Sequence, residues 1–203
     1  MTPALFDAAQ QVASRFTTAG ISAAVVALKE SGLLAAHVPA RLGGPELALS
    51  EIAEITRILA IADGSLAQIP QSHFTFSCWL FMGDHPDQEE LWAKRLLGGA
   101  LIANAQAEFE PLTLQDGRLN GVKKWCTGST WADYLAVTVR SDDLGVFIPA
   151  DARGVRIIDD WRGLGQQGTG SGTIKFEQVA VDLTYSRAHA LALPAYGAFA
   201  YCY

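Results

Sequence analysis

The sequence is poor in several features that would each identify a class of protein. It has three cysteines, Cys78, Cys126 and Cys202, without a Cys-x-x-Cys pair or a Cys/His ligand spacing. A disulfide framework and a structural zinc are therefore not expected, nor is another metal site, and a reducing, cytoplasmic compartment is predicted. The sequence also lacks an apolar run of about 18 residues and a basic start followed by an apolar stretch, so neither a membrane span nor a cleaved secretion signal is expected.

Positive charge is scarce as well. The 203 residues include 15 Lys and Arg against 21 Asp and Glu, a net charge of −6, and no basic block stands out. This balance argues against nucleic acid or an anionic membrane as the main partner. Half of the residues are hydrophobic and 18% are charged, which excludes a disordered chain and leaves room for one large domain or two small ones.

The chain divides into two halves of different periodicity. Up to about Gly99 the apolar residues recur at three- and four-residue steps, which predicts five helices. Ser50 is the predicted N-cap of the third, and Pro70 should lie near the start of the fourth or kink it. After Ala100, short β-type runs separated by turn residues favour an antiparallel barrel or sandwich. The predicted strands are 101–107, 112–115, 119–125, 134–140, 145–149, 155–159 and 173–181.

A dinucleotide-like string is present but lacks its structural context. Gly163-Leu-Gly-Gln-Gln-Gly168 has the G-x-G-x-x-G spacing, yet further glycines and then a predicted strand follow it. Without a helix whose N-terminus faces a pyrophosphate, a Rossmann site is rejected. The alternatives are a flexible hairpin connection and a Gly/Ser/Thr loop whose amides and hydroxyls bind a phosphate.

Three other segments carry candidate site residues. Trp125 and Thr127 lie at a strand end, where the ring could stack on an aromatic ligand while the hydroxyl bonds its edge; a core Trp with a turn Thr is the simpler interpretation. Asn104 belongs to a run of alternating polar residues that either faces solvent or lines a site. His73 lies on an apolar helix, where a structural histidine is the more common case than an acid or base.

Three motifs in order resemble the acyl-CoA dehydrogenase superfamily of flavoproteins. They are DGSLAQIPQSHF at 63–74, LNGVKKWCTGS at 119–129 and IIDDWRGLGQ at 157–166. Together they are most similar to the branch that holds dibenzothiophene monooxygenase and the sulfur-acquisition (dimethyl sulfone) oxidoreductases. The resemblance implies an α+β fold: an N-terminal all-helical domain over 1–100 and a middle antiparallel β-barrel domain over 101–184. Residues 185–203 would be a linker and the stump of a C-terminal helical bundle, which explains the uncharged stretch from Ala188 to Tyr203.

The resemblance also implies the cofactor and the roles of individual residues. The cofactor would be FMN, or alternatively FAD. Trp125, Gly128, Thr169 and Ser171 would bind the flavin. Asn104 and Thr127 would bind it and act in catalysis, with His73 assisting the oxygen chemistry. Trp161 and Phe74 would contact the substrate.

The resemblance leaves three functions open. The first is a monooxygenase that receives reduced flavin from a separate reductase and oxidises a small sulfur-containing or aromatic compound. The second is an acyl-CoA dehydrogenase. The third is a non-catalytic fragment that docks a partner chain; its motivation is Gln167, where relatives often carry Arg, and the length of the chain. The expected assembly is a homo-oligomer or a complex with a complementary C-terminal chain.

Overall fold

A computed structural model describes residues 3–193 of the chain, so the predicted stump beyond residue 193 lies outside the described residues. The first half is helical and the second is built from strands, as the periodicity predicts. The helices are α1 (Pro3–Glu30), α2 (Leu49–Ala62), α3 (Gly64–Ser77), α4 (Glu89–Leu97) and α5 (Arg187–Leu191). The strands are β1 (Ile102–Ala105), β2 (Thr113–Gln115), β3 (Arg118–Cys126), β4 (Tyr134–Val139), β5 (Leu144–Pro149), β6 (Val155–Ile158), β7 (Gly172–Ala180) and β8 (Tyr185–Ser186).

The first two predicted helices are present, whereas one predicted helix start is wrong. Within α1, Gly20 has φ of 79° and ψ of −175°, a non-helical conformation that separates two helical segments and that glycine adopts without strain. The predicted N-cap Ser50 is wrong, because α2 begins one residue earlier, at Leu49. The Glu51 carboxylate accepts the Ala48 N–H at 3.0 Å, which satisfies a free donor at that end without Ser50.

The strands form two separate four-stranded sheets in the orders β1-β4-β5-β8 and β2-β3-β7-β6. The predicted α+β class and its helical-then-β order are confirmed, but closure into an antiparallel barrel is wrong. The sheets share an apolar core and are linked by an isolated bridge between Ala107 and Lys124. Within the first sheet β1 pairs with β4 in parallel, with Asn104 opposite Ala136. A parallel pair needs a crossover, and here β2 and β3 supply it by running through the other sheet.

The helical half and the first sheet meet in a common core. One buried cluster combines Phe76 and Trp79 from the helical half with Ile102, Ala136 and Tyr185 from the strands. This contact sets α3 against β1, the strand that carries Asn104. None of the helices within residues 3–193 is both long and apolar enough to cross a membrane.

Candidate functional site

An irregularity in β3 exposes the first of the predicted site residues. The register between β3 and β7 shifts between Lys123 and Cys126, and a bulge of this kind re-aims side chains. Trp125 lies in the shift with φ of 54°, an uncommon backbone conformation for a bulky residue, and its side chain is 56% exposed. Phe109 meets its ring edge to face, with centroids 5.6 Å apart. The sheet therefore presents a tryptophan face to the outside instead of burying it.

Trp125 opens onto a hollow of about 370 Å³ beside the end of β7. The hollow brings together three residues that the sequence predicts for the site: Trp125, Trp161 and Ser171. Its complete lining is Phe109, Lys124, Trp125, Asp160, Trp161, Arg162, Gly163, Ser171 and Thr173. A Cβ on Gly163 would overlap the Trp161 ring, so glycine at this position leaves room for the indole.

A chain of buried hydroxyls runs inward from the hollow. Ser171 Oγ lies 3.2 Å from Thr127 Oγ1 and 2.7 Å from Thr169 Oγ1. Thr169 Oγ1 in turn donates to the Gln166 carbonyl at 2.9 Å. The same carbonyl accepts the Trp161 indole N–H at 3.1 Å. One hydrogen-bonded network thus joins the predicted cofactor residues to the predicted substrate residue.

The backbone of the Thr127 turn holds Asn104 next to this chain. The Gly128 N–H donates to the Thr169 carbonyl at 2.9 Å, and Gly128 has φ of 79°, a conformation that suits glycine. The Asn104 N–H donates to the Thr127 carbonyl at 3.2 Å. The side-chain oxygen of Asn104 is buried and has no hydrogen-bond partner within residues 3–193. A buried acceptor without a partner is costly, so this atom is a candidate contact for a ligand.

The sequence analysis missed the charged groups around the hollow. Lys124 Nζ donates to Thr173 Oγ1 at 3.1 Å, and Asp160 accepts both the Thr173 hydroxyl at 2.7 Å and its N–H at 2.8 Å. These bonds from Thr173 lower the pKa of Asp160. Arg162 lines the same wall. Their positions next to the predicted tryptophans could have identified them, since Lys124 precedes Trp125 and Asp160 and Arg162 flank Trp161. That all three line one hollow depends on the fold.

His73 and Phe74 lie away from the hollow, in the helical core. His73 is fully buried; its Nε2 donates to the Leu34 carbonyl at 2.7 Å and its Nδ1 accepts the Ile102 N–H at 3.0 Å. Burial lowers the pKa of His73 to about 4, so the ring is neutral at pH 7. These contacts favour the structural interpretation of His73. Phe74 is fully buried and packs with Ala36 and Ile52, so its placement does not support a substrate contact.

Known proteins share the sequence and fold around this site. Residues 103–179 match the family model of the acyl-CoA dehydrogenase middle domain. Dibenzothiophene monooxygenase of Rhodococcus erythropolis is 30% identical over 175 residues, which cover 76% of this chain and 42% of that protein. The probable FMNH2-dependent monooxygenase SfnC of Pseudomonas putida is 26% identical over 167 residues, covering 77% of this chain and 42% of its own length.

A solved structure gives the same result for the fold. The complex of TdsC from Paenibacillus sp. A11-2 with FMN and indole superposes with a TM-score of 0.79 at 24% identity, covering 90% of this chain and 52% of that one. The chain thus spans less than half of the length of the curated relatives above. The family match shows that residues 103–179 form an acyl-CoA dehydrogenase middle domain, and the relatives and the shared fold extend the similarity over most of the chain.

Proposed function

We propose that this chain forms the flavin-binding part of an FMN-dependent monooxygenase that oxidises a small sulfur-containing or aromatic compound. The observation that carries the proposal is the hollow itself, where Trp125, Trp161 and Ser171 meet and from which a chain of buried hydroxyls runs inward. The relatives named above support the choice of chemistry, since two are monooxygenases and the structural neighbour was solved with FMN. FAD remains the alternative cofactor.

The residues around the hollow fit a flavin ring. A flavin is a flat tricycle with an apolar face and a polar edge, so it needs an aromatic wall and hydrogen-bonding groups at one side. Trp125 supplies an exposed aromatic face, and Ser171 lies on the same wall with Thr127 behind it. The Asn104 oxygen, which has no partner in the described part of the chain, is a further acceptor for the ring edge.

Each residue then has a defined task. When bound, a reduced flavin supplies the electrons for the reaction with oxygen. Trp125 would stack on the ring, Thr127 and Asn104 would contact its polar edge, and Gly128 would hold the turn that brings these two residues together. Trp161 would form the wall on the substrate side. His73 would act as a positioning residue, because its bond to Ile102 fixes β1 two residues before Asn104.

The cationic groups suit the other end of the cofactor. Lys124 and Arg162 line the hollow, and an FMN phosphate carries negative charge that such groups bind. These two cations would replace the positive charge of the arginine that relatives often carry where this chain has Gln167. The reduced flavin would come from a separate reductase, which the similarity to the probable FMNH2-dependent monooxygenase SfnC supports. The units 1–100 and 101–184 are the proposed domains, and an oligomer or a C-terminal partner chain would cover the exposed Trp125.

A flavin titration of the 203-residue chain tests the proposal. FMN should bind with a change in its visible spectrum, and FAD should bind less tightly or equally. Thr127→Val should weaken FMN binding, whereas Thr113→Val, the same change at an exposed position of β2, should leave it unchanged. Failure of both flavins to bind at high concentration would contradict the proposal and favour the non-catalytic fragment.

A turnover assay separates the two enzymatic functions. The chain is supplied with FMN, a flavin reductase, NADH and oxygen, with dibenzothiophene as a probe, and oxygenated product is measured by mass spectrometry. We expect product above the level of the reductase alone. Reduction of bound FAD by an acyl-CoA, without oxygenation of the probe, would instead indicate a dehydrogenase.

A further inference from the structure

The structure determines which hydroxyl donates and which accepts in each hydrogen bond of the chain formed by Thr127, Ser171 and Thr169. A hydroxyl has one hydrogen and can donate only once. Thr169 donates its hydroxyl hydrogen to the Gln166 carbonyl, which can only accept. Thr169 must therefore accept from Ser171 at 2.7 Å, and Ser171, with its hydrogen committed, must accept from Thr127 at 3.2 Å.

The consequence for the hollow is that its hydroxyl wall offers acceptors only. The hydrogens of Thr127 and Ser171 both point along the chain towards Gln166, so Ser171, the member of the chain that lines the hollow, keeps a lone pair for a ligand. The Asn104 oxygen, an acceptor without a partner among the described residues, lies on β1 next to the Thr127 turn and outside the lining of the hollow. A ligand that meets this wall with a hydrogen-bond donor is favoured over one that meets it with a lone pair.

The two redox forms of a flavin differ in this property at the central ring. The N5 atom of an oxidised flavin is an acceptor, whereas N5 of a reduced flavin carries a hydrogen. Building on the proposed function, we propose that Thr169 is a positioning residue that makes the site selective for reduced FMN, because it orients the Thr127 and Ser171 hydroxyls as acceptors. Thr169 is 1% exposed and does not line the hollow, so it acts only through the chain.

The selectivity can be measured as a reduction potential without any turnover. A form that binds more tightly is stabilised, so preference for reduced FMN raises the potential of the bound flavin. One neutral hydrogen bond gained or lost changes affinity by about tenfold, and a tenfold ratio corresponds to about 30 mV for a two-electron couple. We expect bound FMN to have a potential about 30 mV above that of free FMN, measured anaerobically by dye equilibration.

Comparing the unmodified protein with three variants separates this role of Thr169 from a merely structural one. Thr169→Val keeps the shape but removes the hydroxyl, which frees the Ser171 hydrogen, and the potential shift should fall towards zero. Thr169→Ser restores the hydroxyl and should restore the shift. Ser129→Ala is the control, since Ser129 is equally buried and donates to the Gly170 carbonyl at 3.0 Å, outside the chain; it should keep the shift of the unmodified protein.

The outcomes distinguish this inference from the function on which it rests. Bound FMN with a potential equal to or below that of free FMN would overturn the inference and leave the proposed function standing. A full shift retained in Thr169→Val would do the same. If neither oxidised nor reduced FMN binds to the unmodified protein, the proposed function fails and this inference fails with it.

Discussion

His73 and the Asn104 side chain are two polar groups buried near the same strand, and they differ in what their partners leave free. Both ring nitrogens of His73 are bonded to backbone groups, one of them the Ile102 N–H of β1. Two residues further along β1, the Asn104 oxygen is buried with no partner in residues 3–193. Burial alone therefore does not mark a site in this protein; the Asn104 oxygen is a candidate because its hydrogen-bonding capacity is also unused among the described residues.

The largest expected effect is on stability and concerns His73, the buried group whose hydrogen bonds are all made. His73→Ala would leave the Leu34 carbonyl and the Ile102 N–H buried without their partner and open a cavity, which should cost about 4 kcal/mol of unfolding free energy in urea. His189→Ala is the control, since His189 is half-exposed and its hydrogen bond with Asp84 should contribute less than about 1 kcal/mol. A loss this small at His73 would contradict its structural role.

Lowering the pH should reduce the stability of the protein through protonation of His73. The folded pKa of His73, about 4, lies below the ordinary value of 6.5, so the unfolded chain binds more protons between these values. Stability contributed by neutral His73 is therefore present above pH 6.5 and is lost as the pH falls towards 4, by up to about 3 kcal/mol. His37, whose pKa burial also lowers to about 4, adds to the same window. Urea unfolding at pH 7, 5.5 and 4.5 measures the decline, and His73→Leu should reduce its slope.

For Asn104, the buried group without a partner among the described residues, we expect a change in FMN affinity with little change in stability. Asn104→Ala removes an oxygen that has no partner among the described residues, so the free energy of unfolding should change by less than about 1 kcal/mol. Affinity for FMN should fall by about tenfold, the value of one hydrogen bond to the ring edge. Equilibrium unfolding and fluorescence titration on the same sample provide both numbers. A large loss of stability with unchanged affinity would reverse the comparison.

The smallest expected effect is a gain. Trp125 has φ of 54°, and glycine adopts this conformation without strain, so Trp125→Gly should stabilise the chain by about 1 kcal/mol relative to Trp125→Ala. Both variants should lose FMN affinity to the same extent, because both lack the ring. If Trp125→Ala were the more stable of the pair, the backbone at 125 would not be strained.

The sequence predicted the elements better than their assembly. The strand positions follow from alternation and turn residues, and all seven predicted runs correspond to β1–β7. The barrel was wrong because β1 pairs in parallel with β4 across a crossover, a contact between residues far apart in sequence. The first two predicted helices are present as the two segments of α1 on either side of Gly20, whose conformation is non-helical.

The candidate site shows the same division. Trp125 was predicted from its place at a strand end and Trp161 and Ser171 through the family resemblance, and the structure brings all three to one hollow. The positive φ of Trp125 depends on the register of β3 against β7, and the order of the hydroxyls depends on which carbonyl lies next to Thr169. Neither is a property of local sequence. Thr127, Asn104 and the others remain predicted site residues until a flavin is bound to them.

The packing of Trp79 on Gly145 has a consequence for how the protein folds. The indole occupies the space that a side chain at 145 would need, so β5 closes directly on a residue from the helical half. Neither half completes its hydrophobic surface alone. We expect a single cooperative denaturation transition, with tryptophan fluorescence and far-ultraviolet circular dichroism changing together, and rapid proteolysis of either half when it is expressed without the other.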